Sequence, residues 1–291
     1  MNQAAALRSP VAAPGEADLG PAEFAAIAAI MQREARIHLT EAKLTLVHSR
    51  LSRRLRDNGI GSFREYVAFV QANEEERRAM VIALTTNHTH FFREAHHFDH
   101  FRSNLLPRLK QQASSSGVRI WSAGCSSGEE VYTIAMCLLG RDKADAAWIR
   151  NADVRLLATD ISTPVVESAA RGVYPEAARD SIPEPYRSAW LRPHPKGFEM
   201  AAEAKALVTA RTLNLFEPWP MRASYDAIFC RNVMIYFDDE AKAELEARLV
   251  QQLAPGGFLY IGHSERLIGS AAREMSACGH TIYVKDGGRA R

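Results

Sequence analysis

A short apolar run that breaks into small residues and then opens a helix constrains this chain more than any other feature: residues 119–131 read Arg-Ile-Trp-Ser-Ala-Gly-Cys-Ser-Ser-Gly-Glu-Glu-Val. Strand, tight turn and helix, in that order, form the unit from which parallel α/β sheets are wound. Gly124 and Gly128 permit the turn and let the backbone approach a bound molecule closely. Glu129 and Glu130 fall in the first helical turn. A phosphate at that place needs bare N–H groups and a nearby cation, so Glu129 would repel it. The same carboxylate accepts hydrogen bonds from a ribose or attracts a cationic ligand. An ordinary strand-to-helix turn, with glycines for geometry alone, accounts for the segment when it is taken by itself.

The rest of the carboxyl-terminal half repeats the alternation. A helix is predicted over 131–140, and a second strand over 154–159 ends at Asp160. An acid there accepts ribose hydroxyls in nucleotide-binding sheets; as Asp-Ile-Ser-Thr-Pro it equally suits a helix N-cap. The separation exceeds the usual ~20 residues, and the polar loop 141–153 accounts for the excess. Residues 225–230 form a third strand that delivers Arg231 and Asn232 at its carboxyl end, where open α/β sheets place ligands. Strands at 257–261 and 281–284, the last at an edge, complete a doubly wound α/β sheet. S-adenosylmethionine, an adenosine with no phosphate and a positive sulfonium, fits the acid-bearing turn.

Composition excludes several alternatives. A 291-residue chain with 47% hydrophobic residues can bury a large core and divide into more than one domain. A net charge of +2 argues against wholesale nucleic-acid binding. The four cysteines, Cys125, Cys137, Cys230 and Cys278, are scattered, which suits free thiols in a cytoplasmic protein and neither a disulfide frame nor a zinc site. No apolar stretch approaches ~18 residues, so no membrane insertion is expected. Residues 1–20, rich in Ala, Pro and Gly, read as a disordered tail.

Residues 22–84 read as a small helical bundle. Phe24, Ile27, Ile30 and Met31 share one helix face, Leu44, Val47, Leu51 and Leu55 a second, and Phe63, Tyr66, Val67 and Val70 a third, with Asn58-Gly59 closing the second helix. Opposite its apolar stripe the second helix carries Lys43, Arg50, Arg53 and Arg54, either a solvated face or a surface for an acidic partner. A linker helix is expected from Glu94 to Gln112, before the flexible Ser114-Ser-Ser-Gly117.

Five segments now stand in one order over residues 23–285: Thr85-Thr-Asn-His-Thr-His-Phe-Phe-Arg-Glu-Ala-His-His-Phe98, the glycine turn through Glu130, Ala158-Thr-Asp160, Cys230-Arg-Asn-Val-Met-Ile-Tyr-Phe-Asp238 and Gly262-His-Ser-Glu265. In these the chain resembles the CheR family, bacterial methyltransferases that esterify glutamate side chains on chemoreceptors. The resemblance implies a class I S-adenosylmethionine methyltransferase sheet with a small β-subdomain insert, preceded by an all-α N-terminal domain. On this basis the expected organisation is a tail at 1–20, a helical receptor-contacting domain at 21–92, a linker helix at 93–116 and a methyltransferase domain at 117–291 with its insert at 171–211. The resemblance assigns Asn87, Thr89, Arg93, Glu129, Asp160, Asn214, Leu215, Arg231 and Asn232 to binding the methyl donor. It places Arg93 and Tyr236 beside the transferred methyl. From the residues alone, Asn87 and Thr89 also suit helix caps, and Tyr236 suits an aromatic core position with its hydroxyl at the surface. The partner implied is the acidic helical signalling region of a chemoreceptor, met through Lys43, Arg50, Arg53 and Arg54. In some members the insert binds a tethering peptide at the receptor's carboxyl end. The turn Arg192-Pro-His-Pro-Lys-Gly197 looks shorter than in those members, so operation without a tether is expected, and the Ala-rich run 198–205 is poor in strand formers.

The chemistry so implied is light in its demands. A glutamate with a pKa near ~4.3 is already ionised at neutral pH and needs no general base. The enzyme must align oxygen, methyl carbon and sulfur and exclude water. No metal is expected: His88, His90, His96 and His97 lack a carboxylate or cysteine set to complete a site, and transfer from a sulfonium needs no Lewis acid. Two rivals differ in kind. One is a methyltransferase acting on nucleic acid or a small molecule, of which an amino-methylating DNA enzyme would carry an Asn-Pro-Pro-Tyr-like sequence where Arg231-Asn-Val-Met stands. The other, a non-catalytic adenosyl sensor, would not need Arg93 and Tyr236.

Overall fold

The computed structural model describes residues 18–113 and 115–287. Most of the expected tail, residues 1–17, therefore lies outside the described residues, as does Ser114. Its last residues are ordered: Leu19 is buried, and Gly20 accepts the Phe24 N–H at 3.0 Å as the N-cap of the first helix. The chain forms two compact units, one ending at Thr85 and one beginning at Thr86.

The first unit is built from α1 (Pro21–Ala35), α2 (Leu44–Asp57), α3 (Phe63–Ala72) and α4 (Glu74–Leu84). The three expected apolar faces bury Ile27 and Met31, Val47 and Leu51, and Phe63 and Tyr66. Helix α4 offers no clear apolar face in the sequence because it opens on Glu74, Glu75, Glu76, Arg77 and Arg78; Asn73 caps it, its Oδ1 accepting the Glu76 N–H at 3.0 Å. The basic face on α2 needs correction. Positions 50 and 54 lie one turn apart on the side that meets α4. The Arg50 guanidinium donates to the Leu84 and Thr85 carbonyls at 2.9 and 2.7 Å, closing the end of α4. Arg54 grips the buried Glu76, to which Tyr66 also donates at 2.8 Å. Burial drives the Glu76 carboxyl up, but the bonds from Arg54 and Tyr66 outweigh it and hold the group below its ordinary value. Lys43, Arg53 and Arg56 are the exposed cations of this segment.

The second unit centres on a seven-stranded sheet of β1 (Val118–Ala123), β2 (Val154–Asp160), β6 (Val208–Thr212), β7 (Tyr225–Cys230), β8 (Leu253–Ile261), β9 (Met275–Gly279) and β10 (Ile282–Lys285), in the order β6-β2-β1-β7-β8-β10-β9. The first five strands in that order run parallel, and β10 is antiparallel to both neighbours. Winding reverses beside β1, so the carboxyl ends of β1 and β7 border the crevice where such sheets bind ligands. Alternation along β1 puts Ile120 in a core shared with α5 (Ala95–His100), α6 (Leu106–Gln112) and α7 (Glu129–Leu139), and sends Trp121 to the other face, against Trp219 and Tyr225. Helix α8 (Thr163–Arg171) packs along β2 and β6, and α11 (Asp239–Gln252) along β8. The segment expected as a linker helix forms α5 and α6, joined by a π turn at Phe101–Leu105 where Pro107 has no N–H to continue the regular ladder, and it belongs to the second unit, whose core holds its Phe98, Phe101, Leu105 and Leu109. Residue 282 and its neighbours are interior to the sheet, since β9 takes the edge that was expected of them.

The insert is smaller than 171–211. A three-stranded antiparallel sheet, β3-β5-β4, consists of β3 (Val173–Tyr174), β4 (Leu191–His194) and β5 (Gly197–Met200), with α9 (Glu184–Trp190) between the first two. The Ala-rich run leaves β5 at Met200 and becomes α10 (Ala202–Leu207), as the helix preference of alanine dictates. Residues 208–212 return to the large sheet as β6, pairing with β2 from Leu156↔Val208 to Asp160↔Thr212.

Candidate functional site

The turn after β1 is stitched to the end of β2. The N–H groups of Gly124 and Cys125 both donate to the Thr159 carbonyl at 2.8 Å, and the Ser126 N–H donates to Asp160 Oδ2 at 3.0 Å. Gly124 and Gly128 have φ of 77° and 100°. A Cβ on Gly124 would strike Val233, and one on Gly128 would sit 2.8 Å from the Ala169 Cβ and 2.9 Å from the Tyr174 hydroxyl. Both glycines are thus demanded by left-handed backbone and by neighbouring protein; the room expected for a ligand is not on that side of their α-carbons.

Glu129 and Asp160 stand at the carboxyl ends of β1 and β2 with no cation beside them among the described residues. Glu129 accepts the Ser127 hydroxyl at 2.7 Å. Asp160 accepts the N–H groups of Ser126 and Ser162, the latter at 2.9 Å. It does not cap α8, whose N-cap is Ser162. Burial pushes both carboxyls above their ordinary values, against the Ser127 hydroxyl in one case and backbone N–H groups in the other. The N–H of Leu213 donates to the Asp160 carbonyl at 2.9 Å, which brings Asn214 and buried Leu215 to the same end of the sheet. There Asn214 Oδ1 accepts the Phe216 N–H at 3.0 Å in a local turn. Asn87 joins from the preceding segment, its carbonyl accepting the Ser126 hydroxyl at 3.1 Å, and half-buried Thr89 follows two residues on.

Arg231, delivered by β7, is almost wholly buried, its side chain 3% exposed. Its guanidinium lies 3.0 Å from Glu130 and 3.2 Å from Glu94, donates to the Arg93 carbonyl, and stacks 5.4 Å over the Phe98 ring. Glu130 also takes the Ser122 hydroxyl at 2.7 Å. Glu94 lies 3.1 Å from His263 Nδ1 and 3.5 Å from His97 Nδ1. Burial raises the Glu94 carboxyl, but Arg231 and the His263 hydrogen bond outweigh it and bring it down to about 2. Burial, with Arg231 next, lowers His97 to about 3, so this imidazole is neutral at physiological pH. Arg93 itself extends from a turn between two left-handed residues, Phe92 (φ 54°) and Glu94 (φ 58°), and its guanidinium reaches back to the His88 carbonyl at 2.9 Å.

Past Arg231 the chain turns sharply. Asn232 has φ of 58°, and buried Glu265 accepts its N–H and the Ile235 N–H at 3.1 and 3.2 Å, together with that of Gly262 at 2.5 Å. This carboxylate fixes the 3-10 turn Met234–Tyr236 and sets half-buried Tyr236 at the mouth of β7. All ten expected site residues therefore gather at the carboxyl ends of β1, β2, β6 and β7 or on the segment that crosses them. The four expected histidines do not form a cluster: His97 is buried against Thr281 at 3.0 Å, His96 meets the His280 carbonyl at 3.2 Å, and among the described residues no group of three or more His, Cys, Asp or Glu is placed to hold a metal.

Residues 22–85 match the family described as CheR methyltransferase, all-alpha domain, and residues 87–284 match CheR methyltransferase, SAM binding domain. The chain belongs to the CheR methyltransferase family. It is 42% identical over 257 residues to a probable chemotaxis protein methyltransferase of Rhizobium etli, covering 86% of this chain and 94% of that one. It is 40% identical over 252 residues to chemotaxis protein methyltransferase 2 of Pseudomonas aeruginosa (85% and 87% covered) and 36% identical over 273 residues to the chemotaxis protein methyltransferase of Salmonella typhimurium (91% and 91%). The fold is accordingly an all-α domain followed by an S-adenosylmethionine-binding methyltransferase domain built on the seven-stranded sheet, and the protein is a chemotaxis methyltransferase dependent on that donor.

Within this CheR-family site, Glu94, Glu130 and Glu265 were given no role by sequence reasoning, although each sits in a quoted motif. Each has a partner far away in sequence: Glu94 and Asn232 are separated by 138 residues, Glu130 and Arg231 by 101, and Glu265 and Asn232 by 33. The one local sign was a run of charged residues entering an apolar segment, where a buried acid needs a distant cation or several N–H groups.

Proposed function

We propose that this chain transfers the methyl group of S-adenosylmethionine to glutamate side chains on the signalling region of chemoreceptors, giving glutamate methyl esters for sensory adaptation, and that it does so without a receptor-tail tether. The observation that carries the reading is the pair of carboxylates, half-buried Glu129 and buried Asp160, that lack a cation among the described residues and are held above their ordinary pKa by burial. A ligand that brings positive charge and ribose hydroxyls relieves both costs, and a polyphosphate aggravates them. When bound, the donor supplies an electrophilic methyl with a neutral leaving group. Asn87, Thr89, Glu129, Asp160, Asn214, Leu215 and Asn232 would hold it.

The protein's part is alignment. The Arg93 guanidinium offers two parallel N–H donors to an incoming carboxylate, directing one oxygen toward the methyl. The Tyr236 hydroxyl hydrogen-bonds the same carboxylate or the methyl's surroundings. No proton is moved, because the nucleophile is already ionised.

Docking of the acidic receptor bundle falls to the outward cations Lys43, Arg53 and Arg56, which speed encounter and set orientation. The small sheet supports operation without a tether. The Ala201 N–H bonds the Trp190 carbonyl at 2.7 Å, so by antiparallel alternation Arg192 and His194 face β5 and Leu191 and Pro193 face the free side of β4. The Leu191 N–H already bonds the Arg187 carbonyl, its own carbonyl accepts Arg192 at 2.7 Å, and proline has no N–H. That edge has no donor left for an added strand.

The test is incubation of the protein with methyl-labelled donor and a purified receptor signalling region. Alkali-labile label mapped by mass spectrometry to glutamate is the expected result; alkali-stable label, or label on nucleic acid, rejects the substrate class. A submicromolar complex with a receptor-tail pentapeptide in calorimetry rejects the absence of a tether.

A further inference from the structure

One buried cation joins three parts of the site. Arg231 leaves the end of β7, pairs with Glu130 in the first turn of α7 at 3.0 Å, pairs with Glu94 at 3.2 Å, and donates to the carbonyl of Arg93. The turn it grips is one that a chain does not adopt unaided, since Phe92 and Glu94 are both left-handed non-glycine residues on either side of Arg93. The opposite end of that turn is pinned as well. The Phe92 N–H donates to the Thr133 hydroxyl at 3.1 Å, that hydroxyl donates to the Glu129 carbonyl at 2.7 Å, and the Phe92 ring lies 5.3 Å from Tyr186 and 5.7 Å from Phe98. Glu94 adds a third tie, to the far side of the mouth, through Asn232 Nδ2 at 3.4 Å and His263 Nδ1 at 3.1 Å. The Arg93 guanidinium donates through Nη1 to the His88 carbonyl at 2.9 Å, a neutral acceptor that an incoming carboxylate can displace or join, and its Nε lies 4.0 Å from Glu94 Oε1, so Glu94 also steadies the fork directly.

We propose that Glu94 and Arg231 are positioning residues for methyl transfer: the Glu130–Arg231–Glu94 chain holds the strained Arg93 turn in register with the donor turn, so that the Arg93 fork meets the substrate carboxylate at the correct place. This rests on the reading of Arg93 given above. It separates Arg231 from the residues that hold the donor directly, because its terminal nitrogens are engaged by Glu130, Glu94 and the Arg93 carbonyl.

The test is a double-mutant cycle in the full chain, read as single-turnover rates with labelled donor and receptor signalling region, alongside donor Kd by calorimetry. Glu94→Gln is expected to lower the rate about a hundredfold, as an ångström-scale misplacement does, with donor Kd changed less than about threefold. In the Arg93→Ala background the same substitution is expected to lower the rate no further, because there is no longer a fork to position. Arg231→Lys is the second variant. It keeps a buried cation near Glu130 but cannot span both acids and the carbonyl, and it is expected to show the same pattern. Rate losses that multiply in the double variant, or a donor Kd that weakens in step with the rate, overturn the positioning role. An undiminished rate in Arg93→Ala overturns the Arg93 reading, and the inference with it.

Discussion

The Glu94 carboxyl offers the most quantitative check on the site. With its side chain 10% exposed, it is held at about 2 in place of an ordinary 4.5, burial pushing it up and Arg231 and His263 pulling it down further. A difference of that size corresponds to about 3 kcal/mol of folding stability at neutral pH, the lower end of the roughly 3–5 kcal/mol expected when one partner is removed from a buried pair. Because the folded value is depressed, the contribution is complete above the unfolded value and is lost as pH falls through the folded one. It should shrink by about a quarter at pH 4 and by more than half at pH 3. Glu94→Gln is therefore expected to be about 3 kcal/mol less stable than the parent at pH 7, or roughly 6–12 °C in Tm for a unit of about two hundred residues, with the gap closing on acidification. The assay is built in. All four tryptophans, Trp121, Trp148, Trp190 and Trp219, lie in the second unit, so their fluorescence in urea reports that unit alone. A gap below about 1 kcal/mol at pH 7, or one that does not close toward pH 3, would show that Arg231 does not depress Glu94 and that the network is looser than its distances imply.

Other outcomes follow from the same geometry. Glu129→Gln and Asp160→Asn should each weaken S-adenosylmethionine binding about ten- to hundredfold while weakening the uncharged-sulfur product less, compared by calorimetry; equal losses for both ligands contradict a cation-favouring pocket. Because burial raises both carboxyls, donor binding should release protons on the acid side of their titration as the positive ligand lowers their pKa, and product binding should release fewer, seen as buffer-dependent enthalpies across a pH series; equal release for the two ligands at every pH refutes the assignment. Lys43→Glu with Arg53→Glu should reduce kcat/KM on receptor and flatten its dependence on salt without altering donor Kd, and a salt dependence that stays as steep as the parent's removes the docking surface proposed on α2. Glu76→Ala should destabilise the first unit by about 3–5 kcal/mol by orphaning Arg54 and Tyr66, measured by circular dichroism melts, and a loss below about 1 kcal/mol would mean the pair is solvated.

What could be read from sequence was whatever repeats locally. Alternation and helix spacing located β1, β2, β7, β8 and β10 and three of the four amino-terminal helices, because each carries a continuous apolar face. Strand β6 escaped because Val208-Thr-Ala-Arg-Thr212 is an edge with little to bury, and β9 because only Met275 at its start is buried. Their pairing with β2 and β10, not their own residues, makes them strands. Glu129, Asp160, Arg231 and Asn232 could be picked out by their places at strand ends, whereas Asn87, Thr89, Arg93, Asn214, Leu215 and Tyr236 are named by the resemblance alone, and the gathering of all ten at four strand ends is a property of the winding. The basic face failed for a related reason. Helical spacing shows that residues 50 and 54 share a side but not that this side meets the end of α4 and Glu76, which is a tertiary fact.

The neighbouring acids at the start of α7 show how far chemistry outruns spelling. Glu129 and Glu130 are adjacent and indistinguishable by type, yet successive helical residues point about 100° apart. One turn of direction gives Glu130 to Ser122 and Arg231, and Glu129 to Ser127 with no cation. Arg231 is thereby committed to two acids, Glu130 and Glu94, and cannot neutralise Glu129 or Asp160. A second free cation at the end of β7 would satisfy those carboxylates and remove the reason for the site to prefer a positive ligand. The buried Arg231 network and the unpaired carboxylates are thus two halves of one arrangement: the first spends the site's interior cation on holding Arg93 in place, and so leaves the second dependent on the charge that the methyl donor brings.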